Sequence, residues 1–224
     1  MTQGFFVTGT DTGVGKTLVA CSLLRAFAGR GQRVIGMKPV AAGIENGHYA
    51  DVEALVAASN VQADRALVNP YAFELPIAPH IAAEQAGVMM SLDAMLDSYR
   101  ALVELADVVI VEGAGGFMIP LNDAETSADL ACMLGLPVVL VVGMRLGCLS
   151  HALLTREAIA AQGLVCAGWV CNAIDASMLN FKENVESMEA RLDAPLIASI
   201  PFLKDPDPAA CASGFALDAL KVSP

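Results

Sequence analysis

Basic residues are scarce in this chain: 13 Lys and Arg stand against 24 Asp and Glu, a formal net charge of −11 over 224 residues. Binding a phosphate backbone or an anionic bilayer needs clustered Lys and Arg, so neither nucleic acid nor membrane is expected as a partner. Charged residues of both signs make up only 17% against 55% hydrophobic, which excludes a solvated, disordered chain. Six cysteines are present, Cys21, Cys132, Cys148, Cys166, Cys171 and Cys211, but no Cys-x-x-Cys pair. That removes the usual zinc pattern and argues for buried free thiols in a reducing cytoplasm rather than a disulfide scaffold. The three histidines, His48, His80 and His151, have no metal-ligand spacing, and the single Trp169 reads as a core aromatic. No apolar run reaches membrane-spanning length, and no basic segment with a long apolar stretch opens the chain, so a cytoplasmic location is expected.

What remains is a set of short apolar runs: Gly4 to Thr8, Val34 to Val40, Val108 to Val111, Val138 to Val142, Ala167 to Cys171 and Leu196 to Ile200. Continuous apolarity marks parallel strands covered on both faces. Helical segments lie between them: Lys16 to Ala28, Asp51 to Ala58, Leu92 to Leu105, Ala128 to Leu134, Ser150 to Gln162 and Met178 to Leu192. The alternation predicts one α/β domain spanning residues 1–224, a doubly wound, mostly parallel sheet of the P-loop NTPase kind with helices on both faces. Val68 to Gly87, with Pro70, Pro76 and Pro79, reads as an irregular loop with short helices.

Thr8-Gly9-Thr10-Asp11-Thr12-Gly13-Val14-Gly15-Lys16-Thr17 follows the first strand and opens the first helix. Such a turn offers backbone N–H groups to an anion at the positive end of a helix, with Lys16 as a mobile charge and Thr17 as a hydroxyl suited to Mg²⁺. The expected ligand is a nucleoside triphosphate with its metal. The loop departs from the strict pattern, since Thr10 stands where a glycine is usual and Gly9 lies one residue back.

Ligands of an open parallel sheet bind beyond the C-terminal strand ends. Lys38 follows the second strand there, Glu112-Gly113-Ala114-Gly115-Gly116 the Val108 run, Gly143 to Cys148 the Val138 run, Asn172 the Ala167 run and Pro201-Phe202-Leu203 the last. Glu112 suits a metal-bound carboxylate or a solvated strand end, and Lys38 a charge-neutralising group or an exposed lysine. Asp51 reads equally as a Mg²⁺ ligand or a helix N-cap, and Ser150 as an N-cap whose neighbouring N–H groups suit a carboxylate.

Taken in order, the loop from Val7 to Thr17, Lys38-Pro-Val-Ala41, Asn69-Pro-Tyr71, Pro79-His80, Val111-Glu-Gly-Ala-Gly-Gly116, Val141-Val-Gly143, Leu146-Gly-Cys148, Gly168-Trp-Val170 with Asn172, and Ile200-Pro201 resemble the dethiobiotin synthetase family. The resemblance implies an ATP- and Mg²⁺-dependent ligase of biotin synthesis, in which diaminopelargonate and CO₂ give dethiobiotin through a carbamate and a carbamic–phosphoric anhydride. It implies that Gly13, Val14, Gly15, Lys16, Thr17 and Leu18 cradle the phosphates, with Lys16 and Lys38 catalytic. Thr17, Asp51 and Glu112 would hold Mg²⁺. Glu112, Gly113, Ala114 and Gly115 would border the nucleotide, while Asn172, Pro201, Phe202 and Leu203 would recognise adenine. Thr12, Lys38, Gly147, Cys148, Leu149 and Ser150 would bind the diamine substrate in a homodimer whose site lies near the subunit interface. Ala42 and Gly13 depart from the family pattern, which often has serine and glutamate there. A partitioning-type ATPase switch and an amide-forming ligase are the competing readings. The first usually carries a lysine where Asp11 stands, and the second needs a glutaminase domain for which the chain is short.

Overall fold

The first apolar run forms β1 (Gln3–Gly9), and the phosphate-loop segment leads from it into α1 (Lys16–Gly29). The computed structural model describes residues 2–44 and 47–222, which leaves residues 1, 45, 46, 223 and 224 of the expected domain outside the described part. β2 (Val34–Met37), β3 (Val40–Ala42), α2 (Ala50–Ala58), α3 (Arg65–Val68), β4 (Tyr71–Phe73), α4 (Pro79–Gln85) and α5 (Leu92–Val103) follow. Then come β5 (Val108–Glu112), α6 (Ser127–Leu134), β6 (Val138–Met144), α7 (Cys148–Ala161), β7 (Cys166–Ala173), α8 (Phe181–Glu189), β8 (Leu196–Ile200) and α9 (Pro208–Ala212).

Six strands pair in the order β2-β5-β1-β6-β7-β8, every pair parallel. This is the doubly wound α/β sheet that the alternating runs imply. Successive side chains point to opposite faces. Phe5, Val7, Ile110, Val139 and Val141 therefore meet Leu23, Leu24 and Phe27 of α1 on one side. Phe6, Val109, Val111 and Val138 meet Leu102 of α5, Ala128 and Ala131 of α6 and Ile159 of α7 on the other. The Phe5 and Phe27 rings stack with centroids 5.8 Å apart. α1 is apolar around most of its circumference because α2 covers its outer side, with Leu55 and Ala58 joining the same cluster. The chain reverses its winding direction beside β1, which leaves a crevice beyond the ends of β1, β5 and β6.

Several expected boundaries move. The second run breaks at Lys38-Pro39, because proline has no N–H for the ladder. Its tail becomes β3, which pairs in parallel with β4 in a separate two-stranded sheet. The stretch expected to be irregular, Val68 to Gly87, thus contains β4 and α4, which pack with Val40, Met90 and Met95 as a small apolar layer beside the site. Two proposed caps are displaced. α2 starts one residue early, with Tyr49 at its N-cap, so Asp51 stands in its first turn. α7 starts at Cys148 with Gly147 at the N-cap, which places Ser150 inside the helix and exposed. α8 is shorter than the expected Met178–Leu192, preceded by Asn180 in the left-handed region at φ 53°.

Candidate active site

The phosphate loop runs from Thr10 to Gly15 over the end of β1. Gly15 caps α1 at φ 92° with no side-chain cap, so the first N–H groups of the helix stay open to an anion. A Cβ on Gly15 would collide with Asn172 Nδ2, and its φ of 92° is one that side chains rarely adopt, so glycine suits the position. Asn172 itself, at the end of β7, is buried and donates from Nδ2 to the Val14 carbonyl at 2.8 Å. The residue read as an adenine contact thus uses one of its two amide donors to brace the loop. Val14 turns its side chain into the core and presents only backbone to a ligand, and Leu18 also packs on that core. Thr10 N–H donates to the Val141 carbonyl at 3.0 Å, fixing the loop to β6.

Lys16 is 7% exposed, and its ammonium donates to the Asp11 carbonyl at 2.9 Å. Burial, then the neighbouring charge of Lys38, pushes its pKa down to about 8. Asp11 Oδ1 accepts the Thr12 N–H at 2.7 Å, and Oδ2 accepts from Arg145, just beyond β6. Those contacts hold the Asp11 carboxyl below the usual range, the Thr12 N–H first among the causes that lower it.

The break between β2 and β3 turns Lys38 inward. Its N–H donates to the Val68 carbonyl at 2.8 Å, and Asn69 Nδ2 donates to its carbonyl at 2.7 Å. The buried ammonium lies 2.6 Å from Glu112 Oε1 and 2.9 Å from Asp51 Oδ2. Burial works against its charge, but the two carboxylates outweigh it and hold the Lys38 pKa above the ordinary lysine value. Burial likewise works against the Asp51 charge, while Lys38 and the Thr17 hydroxyl bring its carboxyl below the usual range.

Thr17 Oγ1 lies 2.8 Å from Glu112 Oε1 and 3.0 Å from Asp51 Oδ1. A hydroxyl has one proton, so it serves only one of these acceptors fully. Glu112 is 1% exposed, and its Oε2 is buried without a partner among the described residues. Two carboxylates and a hydroxyl form a hard oxygen set with an unmet acceptor, a donor set that fits Mg²⁺. Thr17, Lys38, Asp51 and Glu112, distant in sequence, are thus brought into one cluster, with Lys16 beside it.

A family model described as an AAA domain matches residues 3–210. A protein of Nitrosospira multiformis, described as ATP-dependent dethiobiotin synthetase BioD, is 57% identical over 207 residues, covering 92% of each chain. The chain belongs to the dethiobiotin synthetase family. It is a ligase, and its relatives' shared name assigns it a role in biotin synthesis. The Aromatoleum aromaticum synthetase is 50% identical over 96% of this chain and 97% of that relative. Among solved structures, the septum site-determining protein MinD of Pyrococcus horikoshii, complexed with Mg-ADP, aligns with a TM-score of 0.58 at 16% identity, over 96% of this chain and 87% of that one. The signal recognition particle receptor FtsY of Elizabethkingia anophelis aligns with a TM-score of 0.55 at 17% identity, over 96% of this chain and 65% of that one. At those identities the two share the fold.

The remaining positions that resemble synthetase site residues lie at several places in the fold. Gly113 follows β5, where its carbonyl lies 3.3 Å from the Lys38 ammonium. Ala114 is half-buried, and a Cβ on Gly115 would come 3.5 Å from Thr12 Oγ1, which places that turn against the phosphate loop. Gly147 takes φ 94° at the start of α7, with Cys148 buried, Leu149 half-buried and Ser150 exposed. Pro201, Phe202 and Leu203 are exposed beyond β8, where Pro201 and Leu203 line a recess of about 240 Å³ with Ala210 and Gly214. Gly13 is exposed at φ 75° with open space around it. Ala42 closes β3 half-buried. The sequence reading gave no site role to Arg145 or to the Asp11 side chain. A charged residue directly after β6, at the edge where ligands bind, was the available signal.

Proposed function

We propose that the chain catalyses ring closure of 7,8-diaminopelargonate with CO₂ and ATP, giving dethiobiotin, ADP and phosphate. The buried cluster of Lys38, Glu112, Asp51 and Thr17, with Lys16 beside it, carries this reading. It offers positive charge and hard oxygen donors, and the proposed reaction requires no protein nucleophile. Burial pushes the Cys21 thiol, in α1, up to about 12, so it stays protonated near neutrality.

One amine adds to CO₂ and loses a proton, forming a carbamate. A carbamate oxygen attacks the γ-phosphorus, the bond to the bridging oxygen breaks and ADP leaves. The second amine then attacks the carbamoyl carbon, the bond from that carbon to the phosphate oxygen breaks, phosphate leaves and the amine gives up a proton, closing the cyclic urea. Such chemistry needs positioning and charge stabilisation above all. Lys16 and the open N–H groups of α1 bind the phosphates, and Lys38 faces the carbamate. Thr17, Asp51 and Glu112 would hold Mg²⁺, which when bound neutralises phosphate charge. Pro201, Phe202 and Leu203 form one wall for the base. No described helix is long and apolar enough to cross a membrane.

The test follows phosphate and dethiobiotin together in one reaction with ATP, Mg²⁺, bicarbonate and the diamine. Both products are expected in equal amounts and only when diamine and CO₂ are present. Robust hydrolysis without diamine, and no dethiobiotin, would replace this reading with the switch ATPase.

The same reading includes a homodimer in which the start of α7, with Gly147, Cys148, Leu149 and Ser150, receives the substrate carboxylate of the neighbouring site. Leu146, just before that helix, and Leu154, within it, are 97% and 67% exposed, apolar side chains that a second copy would cover. Light scattering at assay concentration is expected to give twice the chain mass. An active monomer would rule out the shared site.

A further inference from the structure

Asp11 makes three contacts at once. Its carbonyl accepts the Lys16 ammonium at 2.9 Å, Oδ1 accepts the Thr12 N–H at 2.7 Å, and Oδ2 accepts Arg145 Nη2. The last contact ties the phosphate loop to the turn between β6 and α7, which is itself closed by a 3.0 Å bond from Cys148 N–H to the Arg145 carbonyl. An ammonium has three N–H donors. One donor resting on the Asp11 carbonyl fixes the direction of the other two, which are the ones left for phosphate oxygens. The position of that carbonyl therefore sets the aim of Lys16. The other braces described above act elsewhere on the loop, at Thr10 and at Val14.

We propose that Arg145 is a positioning residue for phosphoryl transfer: by clamping the Asp11 carboxylate, it holds the Asp11 carbonyl where that carbonyl aims Lys16. This rests on the reading that Lys16 acts on the transferring phosphoryl group. Both side chains of the pair are 44% exposed, and half-exposed ion pairs add little to stability. Loss of the clamp should therefore register in turnover, not in folding. Small misplacements of a positioned group are costly in rate.

The full-length protein carrying Arg145→Ala, Arg145→Lys, Asp11→Asn, the double change Asp11→Asn with Arg145→Ala, and Lys16→Ala would be compared in the coupled assay and in thermal unfolding. Asp11→Asn keeps an acceptor for the Thr12 N–H while removing the charge that holds Arg145. Arg145→Ala is expected to lower kcat about 10- to 100-fold, with the diamine KM changed less than about threefold. Arg145→Lys should recover much of that loss, and the double variant should be no slower than the slower single one, because both remove one contact. Melting temperatures of the Arg145 variants should stay within about 4 °C of the parent. Near-normal kcat in Arg145→Ala, with Lys16→Ala inactive, would overturn the clamp. A melting temperature lowered far beyond that range would overturn it too, by making the pair structural. Near-normal kcat in Lys16→Ala would instead overturn the role of Lys16, and the clamp with it.

Discussion

Replacing Lys16 with alanine is expected to lower turnover at least ~10²-fold, the scale seen when one preorganised donor to developing charge is lost. Lys16 is nearly buried and its ammonium makes one hydrogen bond among the described residues, to the Asp11 carbonyl, so the folded protein should survive the change. The same lysine predicts a pH dependence. Its pKa in the nucleotide-free protein is lowered to about 8 by burial and by Lys38. A bound phosphate stabilises the charged form and raises that pKa, so binding takes up a proton at pH values between the free and bound values. Nucleotide affinity should be highest below pH 8 and fall above it, by at most about tenfold per pH unit. Calorimetry in buffers of different ionisation enthalpy would detect the proton. Both the alkaline fall and the proton uptake should vanish in Lys16→Ala. A variant that turns over normally, or that keeps the alkaline fall, contradicts the assignment.

The sheet was legible because burial on both faces leaves an unbroken apolar record, as in Val108–Ile110–Val111 and Val138–Val142. The phosphate loop was legible because glycine, lysine and threonine at fixed spacing serve one backbone geometry. Lys38 and Glu112 could be found as polar residues ending apolar strands. Asp51 could not be separated from a helix cap by local sequence, since an acidic residue in a first helical turn suits either role. Only the folding of α2 against β2 and α1 brings it to 2.9 Å from Lys38. β4 escaped because Tyr71–Ala72–Phe73 is too short to show a period and lies among prolines. The Asp11–Arg145 pair escaped because it joins residues 134 positions apart, and neither residue type is unusual in a loop.

Lys38→Met should abolish coupled formation of dethiobiotin while leaving nucleotide binding largely intact. The two effects are expected to separate because Lys38 spends its ammonium on Glu112 and Asp51, whereas the phosphates would be met by Lys16 and the open N–H groups at the start of α1, none of which bonds to Lys38. The change has a second consequence in the free protein. Glu112, 1% exposed, loses its only cationic contact among the described residues, at 2.6 Å, and Asp51 loses one at 2.9 Å. Breaking a buried pair by removing one partner costs at most about 3–5 kcal/mol here, because burial already raises the Glu112 carboxyl above its usual range and loss of Lys38 favours its taking up a proton. Since Asp51 is half-exposed, most of that cost falls on Glu112. The Met variant should therefore melt lower than the parent, and Mg²⁺ should raise its melting temperature more than it raises the parent's. In the parent, Lys38 neutralises the same carboxylates that the cation would use, so a cation there gains less. Glu112→Gln supplies the control: it removes the charge from the carboxylate whose Oε2 lacks a partner, and its response to Mg²⁺ should be weaker than the parent's. Thermal unfolding across a magnesium titration, without nucleotide, measures all three proteins on one axis. Equal magnesium responses in the parent, Lys38→Met and Glu112→Gln would mean that this cluster is not where the metal binds. Persistent dethiobiotin formation in Lys38→Met would remove the lysine from the chemistry and leave it as the counter-charge that lets Glu112 stay buried.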